Sequence, residues 1–254
     1  MAASSIWSQC DGPEQIVAIE LTLQRVVESQ EQAATVGLVD DLDEQSLLEE
    51  LLEAHKPPLP PGAERLHYLL ATPFRYPPLK HGSRFGGRHE PSILYGSLKI
   101  GACLAEAAYY RFVFLEGMEE RPPAARIDVE LTSFEFHAES GSAVRLERPP
   151  FLKHRATLAD RARYEATQAL GSVMRGAGVE CFTYVSARDP DAGTNAGLFT
   201  PAVLSDTAPK NRLLWDCQMR ADRVSFRQRI PAAPVYHFDR ELFTVTGRLP
   251  TPAL

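Results

Sequence analysis

Apolar residues recur at helical spacing in two segments near the start of the chain. Over residues 14–31, side chains such as Ile19 and Leu23 return every three or four positions. Over residues 43–55, leucines form one stripe behind Asp43, whose short carboxylate suits an N-cap. The pattern therefore predicts two amphipathic helices, the second beginning near Asp43.

Farther along the chain, segments of alternating polarity are interspersed with segments of helical spacing. Helices are predicted over residues 64–71, over the Ala-rich stretch around residue 106, and over residues 157–176 with Thr157 as N-cap. The tail from Pro231 is expected to be irregular. Strands are predicted over residues 92–97, 126–137, 179–186 and 198–204, with one or two more over 213–228. Because these elements show no regular βαβ repeat, the fold class predicted is α+β.

The segment KPPLPPG, residues 56–62, is the predicted domain boundary, because each proline fixes φ and removes an amide donor. The division is an acidic helical N-terminal arm, residues 1–56, and a domain of the size of a catalytic domain, residues 57–254. The arm holds twelve acidic residues against two basic ones, so its formal charge is −10 and the remainder carries +4 of the total of −6. The arm is either a docking surface or two ordinary helices with solvated acidic faces.

Charge and composition exclude several classes of function. A mildly basic body beside an acidic arm lacks the concentrated basic face that general nucleic-acid binding requires. The four cysteines are scattered and the seven histidines form no metal-binding motif, so no metal is expected. GSLKIG departs from the GxSxG motif of serine hydrolases. The chain has neither a signal-peptide pattern nor a long uncharged apolar run, so we expect a soluble cytoplasmic protein with no membrane association.

Residues 73–111 combine candidate anion-binding groups with one carboxylate on a helix. The segment GSRFGGR has glycines that let backbone amides approach an anion and arginines that donate two parallel hydrogen bonds. It matches neither a phosphate-binding Walker loop nor a dinucleotide fingerprint, and alone it would be read as a solvated turn. Glu106 follows in an Ala-rich helical pattern, which leaves room beside its side chain.

Several motifs in this part of the chain occur together and in a fixed order. FRYPPL, GSRFGGR, ILYGS, LAEAAYYR and YVSARDPDAGTNAGLFTP resemble the motifs of the RES domain family over about residues 65–205. The resemblance implies an ADP-ribosyltransferase-like fold, here with an N-terminal helical extension, and NAD as substrate rather than cofactor. It also implies a toxin of a bacterial toxin–antitoxin pair that depletes NAD and arrests growth. The partners implied are a cognate Xre-family antitoxin and a second copy of the chain.

The same resemblance assigns roles to individual residues. Glu106 would stabilise the positive charge that develops on the ribose, and Arg75 and Arg84 would hold the pyrophosphate or ribose. The spacing to Tyr95 favours Arg84 over Arg88 as the matched arginine. The substrate-binding residues implied are Tyr95, Ser186, Tyr76 and Arg88, while His81 and Asn195 have no such support.

The acceptor of the ADP-ribosyl group leaves no signature in the donor-binding residues. Water would make the protein a glycohydrolase, phosphate a phosphorylase, and a protein side chain an ADP-ribosyltransferase. LAEAA lacks the second acid of arginine-modifying transferases, which favours NAD cleavage. Use of NADP stays open. A different class of function is a non-catalytic binding module whose acidic arm assembles with a regulator.

Overall fold

The computed structural model describes residues 5–29, 38–78, 80–119 and 126–251. Within these ranges eight strands form one sheet: β1 Val17–Glu28, β2 Leu94–Ser97, β3 Ile127–Arg145, β4 Cys181–Val185, β5 Thr194–Leu198, β6 Lys210–Met219, β7 Arg223–Gln228 and β8 Val235–Asp239. The same ranges contain six α-helices: α1 Ile6–Gln9, α2 Leu42–His55, α3 Tyr68–Arg75, α4 Ile100–Glu116, α5 Arg155–Leu158 and α6 Glu165–Gly176.

The long strand β3 connects two parts of the sheet. The strand order is β1-β2-β5-β4-β3-β6-β7-β8, and β1 pairs with β3 as well as with β2. Strands β1, β2, β5, β4 and β3 therefore close on one another, while β6, β7 and β8 extend outward from β3. The pairing of β3 with β4 is parallel, and the other pairings are antiparallel. This mixed sheet with separate helices confirms the predicted α+β class.

The helix predicted over residues 14–31 is wrong, because residues 17–28 form β1. This strand pairs antiparallel with β3 from Val17 opposite Ala143 to Glu28 opposite Leu131. Ile19, Leu21 and Leu23 alternate with exposed residues and are buried, which is the period of a strand. The predicted acidic helical arm is therefore wrong for residues 17–28, which belong to the sheet.

The second helix of the N-terminal segment is confirmed as α2. Its N-cap is Asp41 rather than the predicted Asp43, and the Asp41 carboxylate accepts from the amides of Asp43 and Glu44 at 2.9 Å. Alanine or leucine at an N-cap leaves such amides unsatisfied, so Asp41 contributes about 1 kcal/mol to this helix. No residue of α2 is buried, so it projects from the body.

Helix α4 is buried along most of its length and fixes the position of Glu106. Leu104, Ala105 and Ala108 pack with Phe112 in a core cluster that includes side chains of β6, β7 and β8. Small alanines let the helix approach the sheet closely, and full burial of Phe112 contributes about 1.5–3 kcal/mol. The predicted helix around residue 106 is confirmed, and Glu106 is half-buried on it.

The remaining predictions fare unevenly. The strands predicted at 92–97, 126–137 and 179–186 correspond to β2, β3 and β4, and the residues 213–228 contain β6 and β7. The helix predicted over 157–176 is split into α5 and α6, and α5 begins at Arg155 rather than after Thr157. The helix predicted at 64–71 lies four residues later, as α3. The strand predicted at 198–204 is wrong, because the strand in this region, β5, covers residues 194–198. The irregular tail predicted from Pro231 is also wrong, because the tail contains β8.

The four cysteines are free and buried. Among the described residues no helix combines the length and the apolar character needed to cross a membrane.

Candidate active site

A cavity of about 280 Å³ opens where β1 separates from β2. β1 pairs with β2 at one position, Gln24 opposite Ser97, whereas its pairing with β3 on the other edge runs from Val17 to Glu28. The gap between these strands is bordered by α4. Its polar and aromatic lining consists of Arg25, Ser83, Arg84, Tyr95, Ser97, Glu106, Tyr110, Tyr164, Tyr184 and Asn195.

Glu106 is held in this cavity by two hydrogen bonds to the same oxygen. Its Oε1 accepts from Ser186 Oγ at 2.7 Å and from Asn195 Nδ2 at 2.8 Å. Neither bond uses Oε2, and no hydrogen bond to Oε2 comes from the described residues. The carboxylate is thus oriented by the protein and keeps one oxygen for a ligand.

The two donors are themselves oriented by neighbouring groups. Ser97 Oγ donates to Asn195 Oδ1 at 2.8 Å, which fixes which end of the amide faces Glu106. Ser186 Oγ accepts from the amides of Arg188 and Asp189, both at 3.1 Å, so its hydroxyl hydrogen is available for Glu106. Ser97 and Asn195 also face each other directly across β2 and β5.

A glycine allows the loop that carries Ser186 to lie against α4. A Cβ at Gly193 would lie 2.4 Å from Asp189 Oδ2 and 2.8 Å from Ala102 on α4. Any other residue would push the helix and the loop apart. The Gly193 amide donates to Asp189 Oδ2 at 2.9 Å, which closes the loop just before Asn195. Glu106 and its two donors therefore meet because helix and loop make close contact.

Arg84 lines the cavity from the loop before β2. Its side chain is buried, and Nη1 donates to the carbonyl oxygen of Asp160 at 2.8 Å. The guanidinium carbon lies 4.5 Å from the centre of the Tyr164 ring. A buried arginine stacked on an aromatic face is rigid, so its remaining donors are aimed before a ligand arrives.

Tyr95 ties this loop to β2. Its hydroxyl accepts from the amide of Phe85 at 3.2 Å and shares a hydrogen bond with Ser83 Oγ at 2.9 Å. Burial raises the pKa of Tyr95 to about 12, so the phenol is protonated at neutral pH. Tyr184 stands edge-on to Tyr95 with ring centres 6.3 Å apart, and both rings border the cavity. The site therefore offers aromatic surface beside an arginine and a carboxylate.

Three of the residues that the sequence pointed to lie away from this cavity. Arg75 donates from Nε to the Pro57 carbonyl at 2.5 Å and from Nη1 to Glu53 at 2.6 Å, so it fastens α2 to the body. Tyr76 is exposed, and its carbonyl accepts from Ser92. Arg88 is exposed and donates to His89. None of these three lines the cavity, so the structure does not bring them together with Glu106.

Glu106, Arg84 and Tyr95 do line the cavity, and Ser186 contacts Glu106 from behind it. Sequence reasoning gave Asn195 no support and did not single out Arg25, Tyr110, Tyr164 or Tyr184. Asn195 had one usable signal, because it is a lone amide before the small and apolar residues 196–199. No group of three or more His, Cys, Asp or Glu side chains that could hold a metal occurs in the described part of the chain.

Comparison with known families finds a match over most of the chain. Residues 59–218, more than half of the chain, match the model of the RES domain family. The chain belongs to the RES domain family. The RES domain contains Arg84, Tyr95, Glu106, Ser186 and Asn195, and it ends within β6. β1 and α2 precede the matched region.

Two further searches add little to the family match. No curated protein matches the chain. Among solved structures, the chain is similar to one titled the crystal structure of the M. tuberculosis MbcT–MbcA toxin–antitoxin complex. The identity is 10%, the TM-score is 0.48, and the similarity covers 84% of this chain and 92% of that chain.

Proposed function

We propose that this RES domain protein cleaves the bond between nicotinamide and ribose in NAD. The observation that supports this most directly is the Glu106 carboxylate, fixed through Oε1 by Ser186 and Asn195 inside a cavity that also contains Arg84. NAD is a substrate in this proposal, and no cofactor is required.

The chemistry requires a fixed negative charge next to the sugar. As the C1–N bond breaks, the bonding electron pair leaves with the nicotinamide, which departs as a neutral base, and positive charge develops on the ribosyl carbon and ring oxygen. A preorganised carboxylate stabilises that charge more than it stabilises the substrate. In this proposal Glu106 Oε2 faces the ribose and accepts from a ribose hydroxyl. An acceptor oxygen then bonds to C1 and releases its proton.

The other cavity residues fit the remaining parts of NAD. Arg84 keeps donors for a phosphate or ribose oxygen after binding the Asp160 carbonyl. Tyr95, Tyr164 and Tyr184 give rings against which a flat nicotinamide can pack. Water or phosphate as acceptor makes the protein a glycohydrolase or a phosphorylase, and both oxygen acceptors fit the absence of a second acid beside Glu106.

The test is product analysis with one catalytic variant and one matched control. Purified protein is incubated with NAD, with and without phosphate, and the products are identified by mass spectrometry. Glu106→Gln keeps an oxygen for both donors but removes the charge, so we expect NAD loss to fall about 10²- to 10³-fold. The control Glu116→Gln lies on the same helix, where Glu116 pairs with Arg240 outside the cavity, and it should leave the rate unchanged.

Each product identifies the acceptor. Free ADP-ribose identifies water as the acceptor, and a phosphorylated ADP-ribose identifies phosphate. ADP-ribose found only on an added protein identifies that protein as the acceptor. Use of NADP is tested by the same assay. Equal rates for Glu106→Gln and the unmodified protein would refute the proposal that Glu106 acts on NAD.

We propose further that the chain is the toxin of a toxin–antitoxin pair, as expected for the RES domain family, acting in the cytoplasm and neutralised by a cognate Xre-family antitoxin. Expression in a bacterium should arrest growth, and Glu106→Gln should not. Size-exclusion chromatography with light scattering tests the homodimer and its complex with the antitoxin. Growth arrest by Glu106→Gln would separate toxicity from NAD cleavage.

A further inference from the structure

Arg25 occupies a position on β1 where the alternation of the strand calls for an apolar residue. Ile19, Leu21 and Leu23 are buried, and Arg25 is next in the same every-second-residue series. Its partner across the ladder is Phe134 on β3. A guanidinium in such a series is retained at a cost in desolvation, which points to a function other than packing.

The guanidinium of Arg25 reaches the active-site cavity without a protein partner. Arg25 lines the cavity, and its Nη1 is buried with no hydrogen bond from the described residues. Burial lowers the pKa of Arg25. By contrast, Arg111 nearby is paired with Glu28 of the same strand at 2.5 Å.

The other charged groups of the cavity indicate what kind of acceptor the Arg25 guanidinium could bind. Glu106 Oε1 is bound by Ser186 and Asn195, and Arg84 Nη1 by the Asp160 carbonyl. Arg84 therefore has one nitrogen already satisfied, whereas the buried Nη1 of Arg25 has no acceptor among the described residues. A buried N–H without an acceptor costs about 1–3 kcal/mol, and an oxyanion bound there removes that cost and adds a charge-assisted hydrogen bond.

We propose that Arg25 binds a phosphate oxyanion in the active-site cavity, and that the pyrophosphate of NAD supplies it. The identity of the dinucleotide rests on the proposed function, whereas the phosphate chemistry rests on Arg25 itself. Arg25 lies outside residues 59–218, so this contact comes from the N-terminal strand rather than from the part matched to the family. The strand would then complete the substrate site as well as the sheet.

The test compares a ligand without phosphate with two that carry it: the mononucleotide adds one phosphate to the riboside, and NAD adds AMP to the mononucleotide. Binding of nicotinamide riboside, nicotinamide mononucleotide and NAD is measured by calorimetry in the Glu106→Gln background, where turnover is slow. Adding Arg25→Gln should weaken binding of NAD and of the mononucleotide about 10- to 100-fold and leave the riboside unchanged. Arg25→Lys keeps the charge and should weaken the binding of NAD and the mononucleotide less than Arg25→Gln does. The matched control is Arg111→Gln, which removes an arginine beside β1 but outside this cavity.

A melting experiment separates a ligand-binding role from a structural one. Because Nη1 has no protein partner, Arg25→Gln should unfold at the same temperature as the unmodified protein or higher. Inorganic phosphate should raise the melting temperature of the protein with Arg25 and not that of Arg25→Gln. Phosphate stabilisation with unchanged affinity for NAD and the mononucleotide would support the oxyanion site and overturn the pyrophosphate as its source.

Other outcomes are equally decisive. Loss of folding in Arg25→Gln, or an equal loss of affinity for the riboside, would overturn the proposal and make Arg25 a structural residue. Unchanged affinity for every phosphate-bearing ligand would overturn it as well. If NAD fails to bind even with Arg25 present, the proposed function fails, and the phosphate melting arm still decides whether Arg25 binds an oxyanion.

Discussion

The groups around Glu106 form a chain in which each polar atom has one defined role. Ser97 orients Asn195, and Asn195 and Ser186 donate to the same carboxylate oxygen. Ser186 is oriented by two backbone amides, so the direction of its hydroxyl follows from the loop. In a partly buried network each bond strengthens its neighbours, and loss of one member weakens the rest.

Ser186→Ala removes one donor to Glu106 and leaves two buried amides without an acceptor. We expect the turnover number for NAD to fall about 10- to 100-fold with a small change in KM, because in the proposed reaction the carboxylate acts on the transition state. The free energy of unfolding should fall by about 1–3 kcal/mol from the unsatisfied amides. Steady-state kinetics and denaturant titration measure both.

Ser97→Ala provides the comparison for that variant, since Ser97 touches Asn195 and not Glu106. It should reduce turnover less than Ser186→Ala does. Ser172 on α6 has an exposed hydroxyl, so Ser172→Ala should change neither the turnover number nor the free energy of unfolding. A Ser186→Ala enzyme with unchanged turnover would contradict the role assigned to the network.

Among the elements, α6 determines where the Arg84 loop lies. Gln168 Nε2 donates to the carbonyl oxygens of His81 and Ser83, both at 3.0 Å. One turn later, a Cβ at Gly171 would lie 1.8 Å from the carbonyl oxygen of Phe85. The backbone next to Arg84 therefore rests directly on a helix glycine.

Gly171→Ala should move this loop, whereas Gly176→Ala on the same helix should not. The added methyl at Gly171 overlaps the Phe85 carbonyl, so we expect a loss of about 1–3 kcal/mol in stability and weaker NAD binding through displaced Arg84. A Cβ at Gly176 meets nothing within 4 Å. Alanine also favours helix over glycine by up to about 1 kcal/mol, so Gly176→Ala should be neutral or stabilising.

Thermal melting and NAD titration of the two variants test this prediction. A Gly171→Ala protein as stable as Gly176→Ala, with unchanged affinity for NAD, would show that the loop does not depend on close contact with α6.

How far the elements could be predicted from the sequence depends on where their burial comes from. Helix α4 and strand β4 were predictable, because nearly every position of each is apolar or small. Strand β1 was not predictable, since its apolar residues fit both the helical period and the strand period, and only pairing with β3 decides between the two. Strand β5 was missed because Asn195, Ala196 and Gly197 do not look like a strand. Gly197 is required by the Phe182 ring, which a Cβ would meet at 2.4 Å.

The site was predictable to the extent that its motifs are linear. Glu106, Arg84, Tyr95 and Ser186 follow from the family resemblance, and all lie at or directly behind the cavity. Arg75 matched the same pattern but pairs with Glu53, a contact made between segments that no local spacing reveals. Arg25 was not recognised, because residues 14–31 were predicted as a helix. Only the strand period shows that Arg25 interrupts a series of buried apolar residues.

At the scale of the whole molecule, the two parts of the N-terminal segment have different relations to the sheet. β1 is paired on both sides and buries Ile19, Leu21 and Leu23. α2 buries no residue, and four of its five leucines, including Leu42 and Leu47, are exposed. Removing residues 1–56 as one block would therefore destroy the sheet and could not test what the acidic helix does.

Replacing residues 38–56 with a Gly/Ser segment of equal length is the cleaner experiment. The change removes α2 and its ion pair with Arg75, whose partner Glu53 is 57% exposed. Such pairs contribute about 0–1 kcal/mol, so we expect a small shift in melting temperature and NAD cleavage within about twofold of the intact chain. Deleting residues 1–28 should instead unfold the protein, since losing each large core side chain costs about 2–5 kcal/mol. Circular dichroism reports whether each altered chain is folded, and the NAD assay reports whether it still cleaves NAD.

The same replacement discriminates the enzyme from a non-catalytic binding module. If the protein acts by consuming NAD, the chain without α2 still arrests growth and Glu106→Gln does not. If the acidic helix is what acts, through assembly with a regulator, the replacement abolishes the effect and Glu106→Gln keeps it. A folded replacement chain that loses NAD cleavage would contradict both expectations, because it would place α2 in the catalytic machinery although no residue of α2 lines the cavity.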